Sequence, residues 1–192
     1  MLFRSKDLRK VVILLAHPNI KESQANKALV DAVSDMEGVA VFNLYELSQE
    51  IAFNVDEWSK IISDASAVIY QFPFYWMSAP SLLKKWQDEV FTFLSKTPAV
   101  AGKSLTVVTT TGSEYEAYRS GGRNRFTMDE LLRPYQVSAI HSGMSWQTPI
   151  VVYGMGTADA GKNIAEGANL YKQRVEMLIG SSNAGRDRKS VV

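Results

Sequence analysis

Four aromatic side chains fall within the ten residues Gln71-Phe72-Pro73-Phe74-Tyr75-Trp76-Met77-Ser78-Ala79-Pro80. The prolines at 73 and 80 fix a loop rather than a periodic element, so these rings cannot all turn inward. Rings and backbone N–H groups on a rigid loop suit a flat heteroaromatic ligand that needs stacking and edge hydrogen bonds. Upstream, His17-Pro18-Asn19-Ile20-Lys21-Glu22-Ser23-Gln24-Ala25-Asn26 leads from an apolar run into a helical stretch. Ser or Asn at a helix start caps free N–H groups, and those groups, at the positive end of the helix dipole, can also hold a phosphate. Taken by itself, that loop reads first as a capped helix. Downstream, Thr109 to Tyr118 carries small hydroxyl residues and Gly112, which allow close approach to a planar ring edge. Gly121-Gly122-Arg123-Asn124-Arg125 then marks a long connection that solvent alone would also explain.

Other chemistries lack their residues. The chain has no cysteine, which excludes disulfides, thiolate metal sites and a cysteine nucleophile. No G-x-G-x-x-G follows the first apolar run, so a dinucleotide site of that kind is not expected there. Gly156 to Asn163 fits a phosphate-binding P-loop except that Asn163 replaces the Ser or Thr that holds magnesium, and it opens the last helix rather than the first. Gly102-Lys103-Ser104 leads into a strand rather than a helix. The two histidines, His17 and His141, have no partners at metal-ligand or triad spacing. His141 reads as structural, whereas His17 ends the strand beside the expected crevice.

The elements that must position these loops alternate. Apolar runs at Val11 to Ala16, Val39 to Leu44, Ala67 to Gln71, Ser104 to Thr109 and Gln136 to His141 are expected as strands buried on both faces. Helical spacing covers Ser23 to Asp35, Asp56 to Asp64, Ala79 to Phe93, Thr127 to Leu132 and Asp159 to Ile179. Five strands alternating with helices predict one doubly wound α/β domain over 1–192, with a parallel sheet and ligand crevice beyond the strands' carboxyl ends.

Composition agrees with such a domain. In 192 residues, hydrophobic residues make up 46% and the formal net charge is +1, which gives no sign of a nucleic-acid partner. Basic residues gather at the ends, in a flank over 1–9 and a tail over 181–192. Val11 to Ala16 is too short for a membrane span or a signal-peptide core, so a soluble, cytoplasmic protein is expected.

Several motifs carry a resemblance over roughly residues 10 to 179: Ala16-His17-Pro18 with Ser23-Gln24-Ala25-Asn26, then Phe72-Pro73-Phe74-Tyr75-Trp76 running into Leu83-Lys84-Lys85-Trp86-Gln87-Asp88. Thr110-Thr111-Gly112 and Asn124-Arg125-Phe126 through Leu131-Leu132-Arg133-Pro134 follow in order. In these segments the chain resembles the flavodoxin-like NAD(P)H:quinone oxidoreductases of flavodoxin-2 type, which include ancillary subunits of glutathione-gated potassium-efflux systems.

The resemblance implies a flavodoxin-like five-stranded sheet with helices on both faces and a non-covalent flavin, FMN with FAD as the alternative. His17, Ser23, Gln24, Ala25 and Asn26 would surround its phosphate, Pro73, Phe74, Tyr75 and Trp76 would run along the isoalloxazine, and Thr110, Thr111, Gly112 and Ser113 would close the other edge. Backbone N–H groups at 74 to 77 are expected to point at the ring edge where negative charge develops. Ser113 departs from the family's frequent second glycine. Tyr118 corresponds to a tyrosine on the substrate side, while the family's nearby active-site histidine has no match and Asn124 lies in that neighbourhood instead; Tyr118 and Asn124 are the catalytic candidates. The implied reaction is ping-pong, two-electron hydride transfer from NADH or NADPH through the flavin to a quinone, in a homodimer with the aromatic loop and the helix from Ala79 at the contact. A regulatory subunit docked on a potassium-efflux transporter at the inner face of the cell membrane is the alternative. A pure electron carrier is disfavoured, since such proteins are typically acidic.

Overall fold

The structure, a computed structural model, describes residues 10–47 and 52–180; the basic flank and tail lie outside the described residues. In its sheet β1 (Lys10–Leu15) runs between β2 (Val39–Asn43) and the central β3 (Ala65–Pro73), with β4 (Ser104–Thr110) beyond β3. All these pairings are parallel, with Ile13 opposite Val41 on one side and Ile69 on the other. The strand period of two sends Val11 and Ile13 to one face and Val12 and Leu14 to the other. Both faces are covered, which is why β1 reads as an unbroken apolar run rather than an alternating one.

On one face α1 (Gln24–Ser34) and α8 (Ala160–Gly180) bury Leu29, Val33, Tyr171 and Val175. The opposite core takes Leu44 from the short α2 (Leu44–Leu47), Trp58 and Ile62 from α3 (Val55–Ser63), and Leu83 and Trp86 from α4 (Ser81–Trp86). A π-helical turn over Gln87–Phe91 continues α4 into α5 (Thr92–Leu94). The helix starts follow sequence chemistry: Ser23 and Asn54 cap α1 and α3, and Thr127 with Glu130 forms a capping box on α6 (Met128–Leu131).

The expected strand at Gln136 to His141 is instead helical, within α7 (Arg133–His141). Pro134 sits in its first turn, where a missing N–H costs nothing, and Tyr135 and Ala139, four residues apart, are the pair it buries. His141 accordingly ends a helix, not a strand. The fifth sheet position belongs to two short strands in line, β5 (Ser145–Trp146) against Ser104 and Leu105, and β6 (Ile150–Val152) against Val108 to Thr110. Six strands thus fill five positions in the order β2-β1-β3-β4-β5. The order reverses at β1, which places the crevice over the carboxyl ends of β1 and β3.

Candidate functional site

A cleft of about 440 Å³ lies at that point. Its first wall is the β1–α1 connection. His17 is buried, and its Nδ1 accepts from the Asn19 N–H at 3.1 Å, so Nε2 is the nitrogen that carries a proton in the neutral ring. Burial lowers the His17 pKa and favours that neutral state. Ser23 Oγ accepts from the Asn26 N–H at 3.1 Å, which leaves the N–H groups of the preceding helical residues, Gln24 and Ala25, as first-turn donors.

Asn26 ties three elements together. Its Nδ2 donates to Thr110 Oγ1 at 2.9 Å, and its carbonyl accepts from Gln71 Nε2 at 2.8 Å. The residue is only 1% exposed, yet its Oδ1 has no partner among the described residues. A buried acceptor without a donor is costly, and this one belongs to a residue of the cleft wall.

The aromatic loop forms the second wall. The Phe74 N–H donates to the Thr110 carbonyl at 2.9 Å, and Tyr75 and Ser78 exchange backbone bonds around a two-residue turn. At its tip Trp76 and Met77 hold φ of 46° and 63°, a left-handed conformation that side chains adopt at a cost of about 1–2 kcal/mol each. The Tyr135 hydroxyl braces the turn, accepting from the Ala79 N–H at 3.2 Å and lying 3.4 Å from Ser78 Oγ. Since the N–H groups of Phe74 and Tyr75 are used within the protein, those of Trp76 and Met77 alone in the 74–77 loop lack a partner among the described residues.

The third wall follows β4. Thr111 donates from Oγ1 to the Ser113 carbonyl at 2.7 Å, and the N–H groups of Gly154, Met155 and Gly156 bond the carbonyls of Ser113, Thr111 and Gly112. Within the P-loop-like stretch itself, the N–H groups of Gly156, Thr157, Asp159, Ala160 and Asn163 are engaged inside the protein. A Cβ on Gly112 would meet no protein atom, and nothing in the protein itself requires glycine there.

The cleft is therefore lined by every residue of the expected cofactor set except Trp76, which is 97% exposed at the turn tip, and Ser113, one residue beyond Gly112. The catalytic candidates are not in this wall. Tyr118 is buried edge-on behind Phe74, with ring centroids 6.1 Å apart, and faces a separate groove of about 710 Å³ with Tyr153 and Arg174. Asn124 is half-buried and bonds through its N–H to the Ala117 carbonyl at 3.0 Å. Sequence reasoning missed Met155, Ala160 and Ile164, which complete the cleft from the β6–α8 side. Their signal was the run Ile150-Val151-Val152 between Pro149 and Gly154, a strand by composition that ends beside them. Among the described residues no cluster of three His, Asp or Glu side chains could hold a metal, and no helix is long and apolar enough to cross a membrane.

A family model described as flavodoxin-like fold matches residues 9–175. The chain belongs to the flavodoxin-like fold family. Among relatives, General stress protein 14 of Bacillus subtilis is 35% identical over 87% of this chain and 97% of its own. The uncharacterized NAD(P)H oxidoreductase YdeQ of the same organism is 35% identical over 88% of this chain and 87% of its own. The glutathione-regulated potassium-efflux system ancillary protein KefG of Serratia proteamaculans is 36% identical over 75% and 81%. Among solved structures, general stress protein 14 of Treponema denticola in complex with FMN superposes with a TM-score of 0.79 at 30% identity, covering 88% of this chain and 99% of that one. An NADPH-quinone reductase from P. pentosaceus gives 0.73 at 27% identity, covering 86% and 96%.

Proposed function

We propose that the protein is an FMN-dependent NAD(P)H:quinone oxidoreductase. The observation that carries this reading is the cleft at the sheet's switch point, whose walls join a helix N-terminus, a braced aromatic turn and a glycine edge, in a chain similar to an FMN-bound relative. The residues present fit the group. Neutral donors, the first-turn N–H groups of α1 and His17 Nε2–H, would hold the phosphate, and the orphaned Asn26 Oδ1 would accept from a ligand hydroxyl. Pro73, Phe74 and Tyr75 would flank the ring, with Thr110, Thr111 and Gly112 along its other edge. When bound, the flavin supplies the redox chemistry, taking two electrons with a proton from NADH or NADPH and passing them to a quinone in a ping-pong cycle. The protein's part is to orient and to exclude water: Tyr118 backs Phe74, and Tyr135 fixes the turn that carries the Trp76 and Met77 N–H groups.

Trp76, Met77, Phe93, Val137 and Ile140 are all large apolar side chains left exposed on the aromatic turn, α5 and α7. A homodimer formed through them would cover this surface and close the cleft's mouth. A second reading, a regulatory flavoprotein docked on a potassium-efflux transporter at the inner membrane face, is favoured by the likeness to KefG. A potassium-efflux assay with and without the protein separates it from the first.

The testing experiment is a visible spectrum of the purified chain loaded with FMN or with FAD, followed by anaerobic NADH or NADPH and then a quinone. A flavin band that bleaches and recovers supports the reductase. A chain that remains colourless after incubation with both flavins overturns it.

A further inference from the structure

No Lys, Arg, Asp or Glu lines the cleft, and burial favours neutral His17, so a fixed charge for the site must come from its rim. Arg123 stands there. Its Nη2 donates to Ser113 Oγ at 2.6 Å, and Ser113 directly follows Gly112 of the cleft wall. Both partners are held by backbone. The Ser113 carbonyl accepts from Thr111 Oγ1 and the Gly154 N–H. Around Arg123, the Gly122 N–H bonds Arg119, Asn124 bonds Ala117 and Arg125 bonds Gly122. Gly122 lies so close to the preceding turn that a Cβ there would stand 2.2 Å from the Glu116 carbonyl oxygen, which fixes where the next residue emerges.

The nearby carboxylate of Glu116 is engaged by Arg119, and among the described residues no carboxylate lies within ion-pair distance of Arg123. Arg123 is exposed and bonded to a neutral hydroxyl, so no carboxylate offsets its charge and only solvent and salt screen it. A glycine at 113 would have no hydroxyl to hold it.

We propose that Arg123, held by Ser113, sets the reduction potential of the flavin in the adjoining cleft. The inference rests on the flavin reading above. NAD(P)H gives up two electrons with one proton and leaves as NAD(P)⁺, so the cleft becomes one unit more negative. A fixed cation at the rim favours that reduced state.

The experiment is an anaerobic equilibrium titration of the FMN-loaded full chain against a redox dye, for wild type, R123Q, R123K and S113A. In R123Q the ratio of reduced to oxidised flavin at a fixed dye poise falls about tenfold, while R123K stays near wild type and S113A lies between. Raising KCl to about 1 M moves wild type toward R123Q and leaves R123Q in place. A flavin-loaded R123Q that titrates with wild type, or Gln and Lys variants that fall alike, overturns this inference alone. If R123Q loses its flavin, the wild-type salt series decides, and a potential indifferent to salt overturns it. A wild-type chain that takes up no flavin overturns the reading beneath it as well.

Discussion

The side-chain amide of Asn26, in the first turn of α1, donates to Thr110 Oγ1 at the end of β4 across 2.9 Å, 84 residues apart in the chain. This bond joins the helix after the first strand to the end of the fourth strand and leaves Asn26 Oδ1 without a donor in the cleft wall among the described residues.

Replacing Asn26 by Ala removes that bond, strands Thr110 Oγ1 and takes away the ligand acceptor. The FMN dissociation constant is expected to rise about tenfold, the equivalent of one buried hydrogen bond. Fluorescence titration measures it, and stopped-flow reduction by NAD(P)H of variant saturated with FMN should run at the wild-type rate. A variant that binds FMN normally but is reduced slowly would place Asn26 at the reacting end instead.

His17 gives the apo-protein a pH dependence whose sign is fixed. Burial lowers its pKa from the ordinary 6.5, so below that value the unfolded chain takes up a proton that the folded chain resists. Stability from this group is complete above the ordinary value and declines as pH falls through the window toward the lowered one. Thermal melts from neutral to acid pH should show the decline, and His17→Gln should lessen its slope. Added FMN, whose phosphate favours a protonated ring, should shrink it too.

Tyr135→Phe deletes the hydroxyl that accepts from the Ala79 N–H and touches Ser78. About 1 kcal/mol of stability should go with it, a drop of about 2–4 °C in Tm for a domain of this size. The Ala79 amide should exchange faster with deuterium while the α1 amides keep their protection. Uniform loss of protection would mean that the hydroxyl supports the whole core rather than the turn.

The role of Tyr135 was hidden in the sequence, and the reason is physical. Val137 and Ile140 are β-branched and apolar, which reads as strand, but both are exposed, and the helix is decided by Pro134 in its first turn and by Tyr135 and Ala139 at helical spacing. By contrast β1 and β3 were legible because burial on both faces leaves Val11 to Leu15 and Ala67 to Ile69 as unbroken apolar runs. The three strand-end loops were legible because Pro73 and Ser23 announce a loop and a helix start, and Gly112 breaks off the run of β4. Met155, Ala160 and Ile164 carry no such mark of their own: Met155 follows the strand signalled by Ile150-Val151-Val152, and Ala160 and Ile164 reach the cleft through the packing of α8 on β6.

That packing depends on Gly167. At an interior helical position an alanine is ordinarily worth about 1 kcal/mol over glycine. A Cβ on Gly167, however, would stand 2.4 Å from Val152 Cγ2. The valine is buried in β6 and cannot swing away into solvent, so α8 must lift from the sheet. Gly167→Ala is therefore expected to lower stability by about 1–3 kcal/mol in urea denaturation, the cost of an overpacked core. Because Ala160 and Ile164 move with the helix, FMN affinity should fall in the same variant, although residue 167 lies outside the cleft lining. A higher urea midpoint would show that helix propensity prevails and that α8 can shift on β6 without loss. Lower stability with unchanged FMN affinity would show that the α8 wall closes the cleft without gripping what enters it.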